Sequence, residues 1–271
     1  MSSPALYLVD SFTDQPFRGN PAGVCICAAF PAEETMQAIA KELGFSETAF
    51  VVRMGEEYRI RFFSPKMEIP LCGHATLAAA KVVFGYYSEE DHLAFVNIQS
   101  IRLLVKKVAE GIEMEFPLYG TVPRGAPEEL LAALGVSAAV NSEYNAETRI
   151  LLVEMDGSEE LAGLRPDFAR LRRAHDAING VLVTARSRRA DYDFESRYFW
   201  PWSGTDEDPV TGGTHTFLAD YWAQRLNKTT LRSYQCSERG GFMEVEITAD
   251  RTVKIRSEAQ VIFRGELLAG Q

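Results

Sequence analysis

The sequence predicts an α+β protein built by duplication, with two related halves that each carry a strand, a Pro-stiffened loop and a Gly-begun helix. Two observations carry that expectation. The first is a stretch written twice, RFFSPKMEIPLCGHATLAAA at 61–80 and RYFWPWSGTDEDPVTGGTHTFLA at 197–219. Arg61 answers to Arg197, Phe63 to Phe199, Pro65 to Pro201, Glu68 to Asp208, Pro70 to Pro209 and Gly73 to Gly212, and the second copy carries three extra residues before its glycine. The copies lie half a chain apart, too far for a solenoid, whose period is roughly 20–50 residues. The second observation is that strand-like and helix-like runs succeed one another in both halves.

The elements follow in order. Leu6 to Phe12 alternates as a strand, Gly19-Asn20-Pro21 reads as a turn, and Val24 to Phe30 is a second strand. Pro31 leads into a helix over 32–43, with Met36, Ile39, Ala40 and Leu43 on one face and Gly44 as its stop. SETAFVV enters a strand that pairs with YRIRFF across a turn at 54–57, and the first repeat loop and its helix, His74 to Gly85, come next. Residues 94–108 read as one strand and 112–116 as another. The Pro- and Gly-rich run 117–127 is the best linker, so the expected halves are 1–118 and 119–271, with the last strand, about 259–271, a candidate to return to the first half. The second half offers a short helix at 127–134, a strand at 149–154, a charged helical stretch at 166–175, a strand at 180–185, the second repeat loop, a helix at 213–225 and closing strands at 243–248, 253–256 and 261–267.

Composition bounds the function. With 46% hydrophobic and 24% charged residues and a net charge of −10, this is an ordinary globular composition with no basic stripe for nucleic acid. No stretch approaches the roughly 20 apolar residues that span a bilayer, so no membrane partner is expected. The opening MSSPALYLVDSF lacks the pattern of a signal peptide. Cys25 and Cys27 fall on one face of a strand, poor geometry for a disulfide, and the four cysteines read as reduced thiols of a cytoplasmic protein.

Helix starts carry unpaired N–H groups and partial positive charge, and glycine lets a ligand approach them. Each repeat therefore offers an anion site, and if the halves face each other, Cys72, His74, Asp208 and Thr211 line one cleft. Plain packing of an old duplication explains the twin helices as well; the polar loop residues tip the balance. Only the first half places a carboxylate at its helix-to-strand step, Glu47 of Ser46-Glu47-Thr48, against Ala177-Ile178-Asn179-Gly180 in the second. Glu47 follows a helix C-terminus, whose partial negative charge disfavours a nearby anion, as suits a carboxyl that trades protons. Cys72-x-His74 is too short and isolated for a metal site, and no phosphate-binding glycine loop is present, so neither metal nor organic cofactor is expected.

Asn20-Pro21 after a D-x-F-T strand, S-E-T-A-F, R-F-F-x-P with C-G-H-A-T, E-D-P-V-T-G and a late R-G-G resemble the phenazine-biosynthesis PhzF-like proteins from Val9 to about Gly265. That resemblance implies the diaminopimelate epimerase-like fold, in which each pseudo-symmetric half wraps a curved, mostly antiparallel sheet around a central helix. It also implies a homodimer and cofactor-independent proton transfer on a small carboxylated substrate. By the same resemblance Glu47 is the general acid/base, and His74 and Asp208 hydrogen-bond the substrate and the migrating charge. The amides around Gly73, His74, Gly212 and Gly213 hold the substrate carboxylate, and Asn20 lies at the rim.

Two departures matter. The phenazine enzymes usually carry Ser directly after T-G, where this chain has Gly213 followed by Thr214, whose hydroxyl is the nearest substitute. Epimerases and racemases of the fold use one cysteine per half, whereas here only Cys72 has a counterpart position, and the second loop reads Pro209-Val210-Thr211. The expected activity is a PhzF-like isomerase. The alternatives are an amino-acid epimerase or racemase using Glu47 with Cys72 or Asp208, and a ligand-binding protein on the same scaffold.

Overall fold

The computed structural model describes residues 4–268 except 176, 203 and 204. The expected strand end beyond 268 and two residues of the longer second repeat loop therefore lie outside it. The chain forms two compact units, 1–115 with 256–271, and 116–255.

In the first unit the elements are β1 (Ala5–Ser11), β2 (Asn20–Cys27), α1 (Glu33–Leu43), β3 (Glu47–Met54), β4 (Glu57–Phe63), β5 (Glu68–Ile69), α2 (Gly73–Tyr86), β6 (His92–Val96), β7 (Arg102–Val108) and β8 (Gly111–Pro117). The last strand of the chain, Ala259–Glu266, lies antiparallel along β1. β1 and β2 are antiparallel, β2 and β3 parallel, and β3 and β4 antiparallel. β4 pairs antiparallel with β5 and parallel with β6.

Both sides of this sheet are covered. Cys25 and Cys27 pack with Leu6, Phe50, Val52 and Phe63 against Met36, Ile39 and Ala40 of α1. The alternation of β2 leaves Ala22 and Val24 on the other side, where α2 touches β1, β2 and β3. α2 is buried nearly all round, from His74 to Ala80 and again at Val82 and Val83, because its run of alanines lets the curved sheet close around it. α1 ends where Gly44 takes the left-handed conformation and returns its N–H to the Ala40 carbonyl.

The second unit holds β9 (Val122–Pro123), α3 (Glu128–Leu134), β10 (Asn141–Asn145), β11 (Ile150–Met155), α4 (Ser158–Gly163), α5 (Phe168–Ala174), β12 (Gly180–Arg186), β13 (Phe194–Phe199) and β14 (Glu207–Asp208). A 3-10 turn (Gly212–Thr214), α6 (His215–Leu226), β15 (Thr230–Gln235), β16 (Gly241–Ile247) and β17 (Thr252–Ser257) complete it. Its pairings repeat those of the first unit. β10 and β11 are antiparallel, β11 and β12 parallel, and β12 and β13 antiparallel, while β13 pairs antiparallel with β14 and parallel with β15. α6 is the second central helix, with Phe217, Leu218, Ala219, Tyr221 and Trp222 buried.

Three expectations are corrected. Residues 94–108 form a hairpin of β6 and β7, because Asn97 turns the chain by accepting the N–H groups of Gln99 and Ile101. Asn20 and Pro21 belong to β2 and pair with Ser11 and Asp10. The counterpart of Glu68 is Glu207, since Phe63 pairs with Glu68 and Phe199 with Glu207. Asp208 thus matches Ile69, and the second unit carries a carboxylate that the first lacks.

The arginine–glutamate pairs confirm this register. Arg61 grips Glu68 with two hydrogen bonds of 2.7 and 2.6 Å, and Arg197 grips Glu207 with two of 2.8 and 2.7 Å. Each guanidinium ties the strand before the repeat loop to the strand within it.

Candidate active site

In the first unit three sequence-predicted residues, Glu47, Asn20 and Cys72, meet at the imidazole of a fourth, His74. Glu47 is the first residue of β3, where the chain leaves α1 through Gly44, and His74 lies in the first turn of α2. The Ser11 hydroxyl donates to the His74 carbonyl at 2.8 Å and locks that turn to the end of β1. Glu47 Oε2 is 3.2 Å from His74 Nε2, and both residues are buried. Ser46 Oγ also stands 3.3 Å from Nε2, while Asn20 Nδ2 and Cys72 Sγ each stand 3.4 Å from Nδ1.

Burial lowers the pKa of His74, and the Glu47 carboxylate opposes that only in part. The imidazole is therefore neutral. With the Asn20 amide donating to Nδ1, the proton lies on Nε2, within hydrogen-bond distance of Ser46 Oγ and beside Glu47 Oε2. The contact is a close polar approach that sets the carboxylate beside a neutral ring.

No side chain caps α2 and its first turn holds no acidic residue, so its amides face whatever lies beyond the helix start. A Cβ on Gly73 would meet nothing within 4 Å, which leaves that approach open.

In the second unit Asp208 is buried and accepts the Thr211 hydroxyl. Gln235 of β15 holds the loop at both ends: its Nε2 donates to the Asp208 carbonyl at 2.6 Å, and its Oε1 accepts the Thr211 N–H at 2.9 Å. His215 Nδ1 donates to the Thr211 carbonyl at 3.2 Å, and its Nε2 lies 2.9 Å from the Ser233 hydroxyl. Burial lowers the His215 pKa to about 4. Thr76 does the same task in the first unit, donating to the Cys72 carbonyl at 2.7 Å. Gly212 and Gly213 form the uncapped turn that opens into α6, and a Cβ on Gly213 would meet nothing within 4 Å. Thr214 is buried with its hydroxyl donated to the Thr211 carbonyl at 2.9 Å, so it braces the loop.

Glu47, Cys72 and His74 bring one ligand atom each within 4.8 Å of one another, the sort of set that can hold a cation. The thiol, however, lies nearer Nδ1, at 3.4 Å against 3.9 Å from Nε2, whereas the carboxylate faces Nε2. A cation bound by one ring nitrogen would have to draw the other group around the ring, so the arrangement suits proton handling better than coordination. The sequence reading missed Ser46, Gln235 and His215. His215 was findable, four residues after Thr211 as Thr76 is after Cys72, but Gln235 arrives from a strand with no signal of its own.

The duplicated fold is that of the epimerase-like isomerases. A probable proline racemase from Agrobacterium radiobacter superposes with a TM-score of 0.61 at 10% identity over 99% of this chain and 94% of its own, a likeness of fold alone. The model for the phenazine biosynthesis-like (PhzC-PhzF) proteins matches residues 9–265, and the chain belongs to this family of isomerases. An uncharacterized isomerase of Pseudomonas aeruginosa is 43% identical over 262 residues, 97% of this chain and 98% of that one. Phenazine biosynthesis-like domain-containing protein 1 of Mus musculus is 36% identical over 285 residues, covering 97% and 99%. Among solved structures, a PhzF-family protein from Enterococcus faecalis has a TM-score of 0.92 at 41% identity, covering 98% of this chain and 99% of its own.

Proposed function

We propose that this isomerase moves a proton between two carbons of a small, unsaturated carboxylate, with Glu47 as general acid/base and neither metal nor organic cofactor. The observation that carries the reading is the buried Glu47–His74 pair. Glu47 Oε2 rests 3.2 Å from the neutral imidazole, which leaves the other carboxyl oxygen available as base. Glu47 takes a proton from a substrate carbon, the electron pair delocalises into the adjacent π-system, and the same carboxyl returns the proton to a second carbon. A carbon acid beside a diene or enamine suits a single carboxylate better than a plain amino-acid α-proton does.

The family likeness supports the remaining roles. In the first unit the uncapped amides of Gly73 and His74 suit a substrate carboxylate and Asn20 keeps the His74 tautomer; in the second the amides of Gly212 and Gly213 suit a group of the same kind, and Asp208 holds migrating charge through a substrate proton. The family likeness supports a homodimer working in the cytoplasm, which sedimentation and fractionation would check. No helix among the described residues is long and apolar enough to cross a membrane.

A second reading has one observation behind it. Cys72 Sγ lies 3.4 Å from His74 Nδ1, so a thiol and a carboxylate flank one imidazole, as an epimerase with two bases would use them. Incubating the protein with a pool of small carboxylates in D₂O tests both readings by mass spectrometry and NMR. A compound that gains one deuterium and shifts a double bond supports the isomerase. Label at an α-carbon with inversion supports the epimerase, and no labelled compound overturns both.

A further inference from the structure

We propose that Tyr198 is a substrate-contacting residue of the second unit, its phenol hydroxyl donating a hydrogen bond to an acceptor oxygen of the bound carboxylate. The inference rests on the carboxylate reading above and adds a group that neither the repeat nor the motifs single out.

The registers identify where Tyr198 stands. β3 pairs Thr48 with Phe63, and β12 pairs Val181 with Phe199, so the residue before each, Glu47 and Gly180, occupies the same place in its unit. Gly180 is therefore the counterpart of the proposed acid/base. A Cβ built on Gly180 would lie 2.5 Å from the Tyr198 hydroxyl oxygen and 2.5 and 2.6 Å from its ring carbons Cε2 and Cζ. The phenol thus occupies the space where a side chain at the Glu47 position would begin. Its counterpart in the first unit is Phe62, which has no hydroxyl. One half places its polar group on the first strand of the pair, and the other exchanges that group for glycine and supplies a hydroxyl from the next strand.

Tyr198 is 5% exposed, yet no described residue accepts a hydrogen bond from its hydroxyl. The hydroxyl itself is not among the fully enclosed side-chain atoms that lack a partner, so it keeps an edge open to solvent from which it can donate to a ligand. It shares a face with Asp208, which sits directly opposite on β14. Burial, and then the Asp208 charge, raise the Tyr198 pKa, so the phenol stays a donor throughout the working pH range. Donor and carboxylate together would read a substrate that offers both an acceptor oxygen and a proton.

The test titrates the protein, labelled with [¹³Cζ]tyrosine, with benzoate and with pyrrole-2-carboxylate, two flat unsaturated carboxylates. Loss of one signal in Tyr198→Phe assigns the Tyr198 resonance. The expected result is that this resonance shifts on saturation and that Tyr198→Phe, whose melting temperature should match the wild type, binds roughly ten- to a hundredfold more weakly. Binding that leaves the Tyr198 signal in place and Tyr198→Phe unimpaired overturns this inference alone. Failure of both carboxylates to bind the wild type overturns it together with the carboxylate reading.

Discussion

His74 Nε2 and Glu47 Oε2 stand 3.2 Å apart, joining the first turn of α2 to the first residue of β3. The imidazole itself is fixed by Asn20 on its other nitrogen and by the Ser11 hydroxyl on its backbone. His74→Ala should therefore lower kcat roughly ten- to a hundredfold, the worth of one buried polar contact to a charged group, with a smaller change in KM. Steady-state kinetics on the compound found in D₂O would show this; an unchanged kcat would mean that Glu47 needs no such contact.

Two buried histidines make stability depend on pH in one direction. His74 and His215 both have folded pKa values lowered by burial, so the unfolded chain binds protons that the folded chain refuses. Their stabilisation is complete above about pH 6.5 and is lost as pH falls through the window toward the folded values. For His215, with a folded pKa of about 4, the loss between pH 6.5 and pH 4 is about 3 kcal/mol. Urea unfolding across that range should show a shallower acid dependence for His215→Asn than for the wild type, even though the variant starts less stable at pH 7.

The two arginine clamps should differ in cost. Arg197 is 7% exposed, holds Glu207 in a fork and also donates to the carbonyls of Leu161, Ala162 and Leu164. Arg197→Met leaves those acceptors and the Glu207 charge uncompensated and should cost about 3–5 kcal/mol. Arg61 is less deeply set, with its side chain 21% exposed, so Arg61→Met should cost less. Paired denaturant melts check the order, which equal losses would contradict.

Gly213→Ser should fold normally, because a Cβ there meets nothing within 4 Å and no left-handed conformation is required. It restores the hydroxyl that the phenazine enzymes usually carry. Thr214 does not stand in for it, since its own hydroxyl is held by the Thr211 carbonyl. If the new group reaches developing charge, the gain approaches about 3 kcal/mol, read as a rise in kcat for a substrate that the wild type handles poorly. A thermal melt and a substrate panel, wild type against variant, measure both effects.

Much of this was legible in the sequence because duplication writes the same physics twice. The repeat located both central helices, and S-E-T-A-F and C-G-H-A-T located Glu47 and His74. What stayed hidden were contacts that chain order does not encode. Glu68 was matched to Asp208 because each is the acidic residue nearest a proline, while the strand register pairs it with Glu207. Gln235 reaches the Asp208 loop from β15, and Tyr198 fills the space over Gly180, a relation visible only once β12 and β13 are side by side.

The proposed proton transfer turns on Glu47, and the most direct measurement compares deuterium uptake by the identified carboxylate with wild type and with Glu47→Gln, which keeps the shape and hydrogen-bonding capacity of the side chain but removes the base. Loss of the base should cut the rate of label uptake roughly 10²- to 10⁴-fold with an unchanged circular dichroism spectrum. Uptake by Glu47→Gln at the wild-type rate would contradict it and move the search for the base to Cys72 or Asp208.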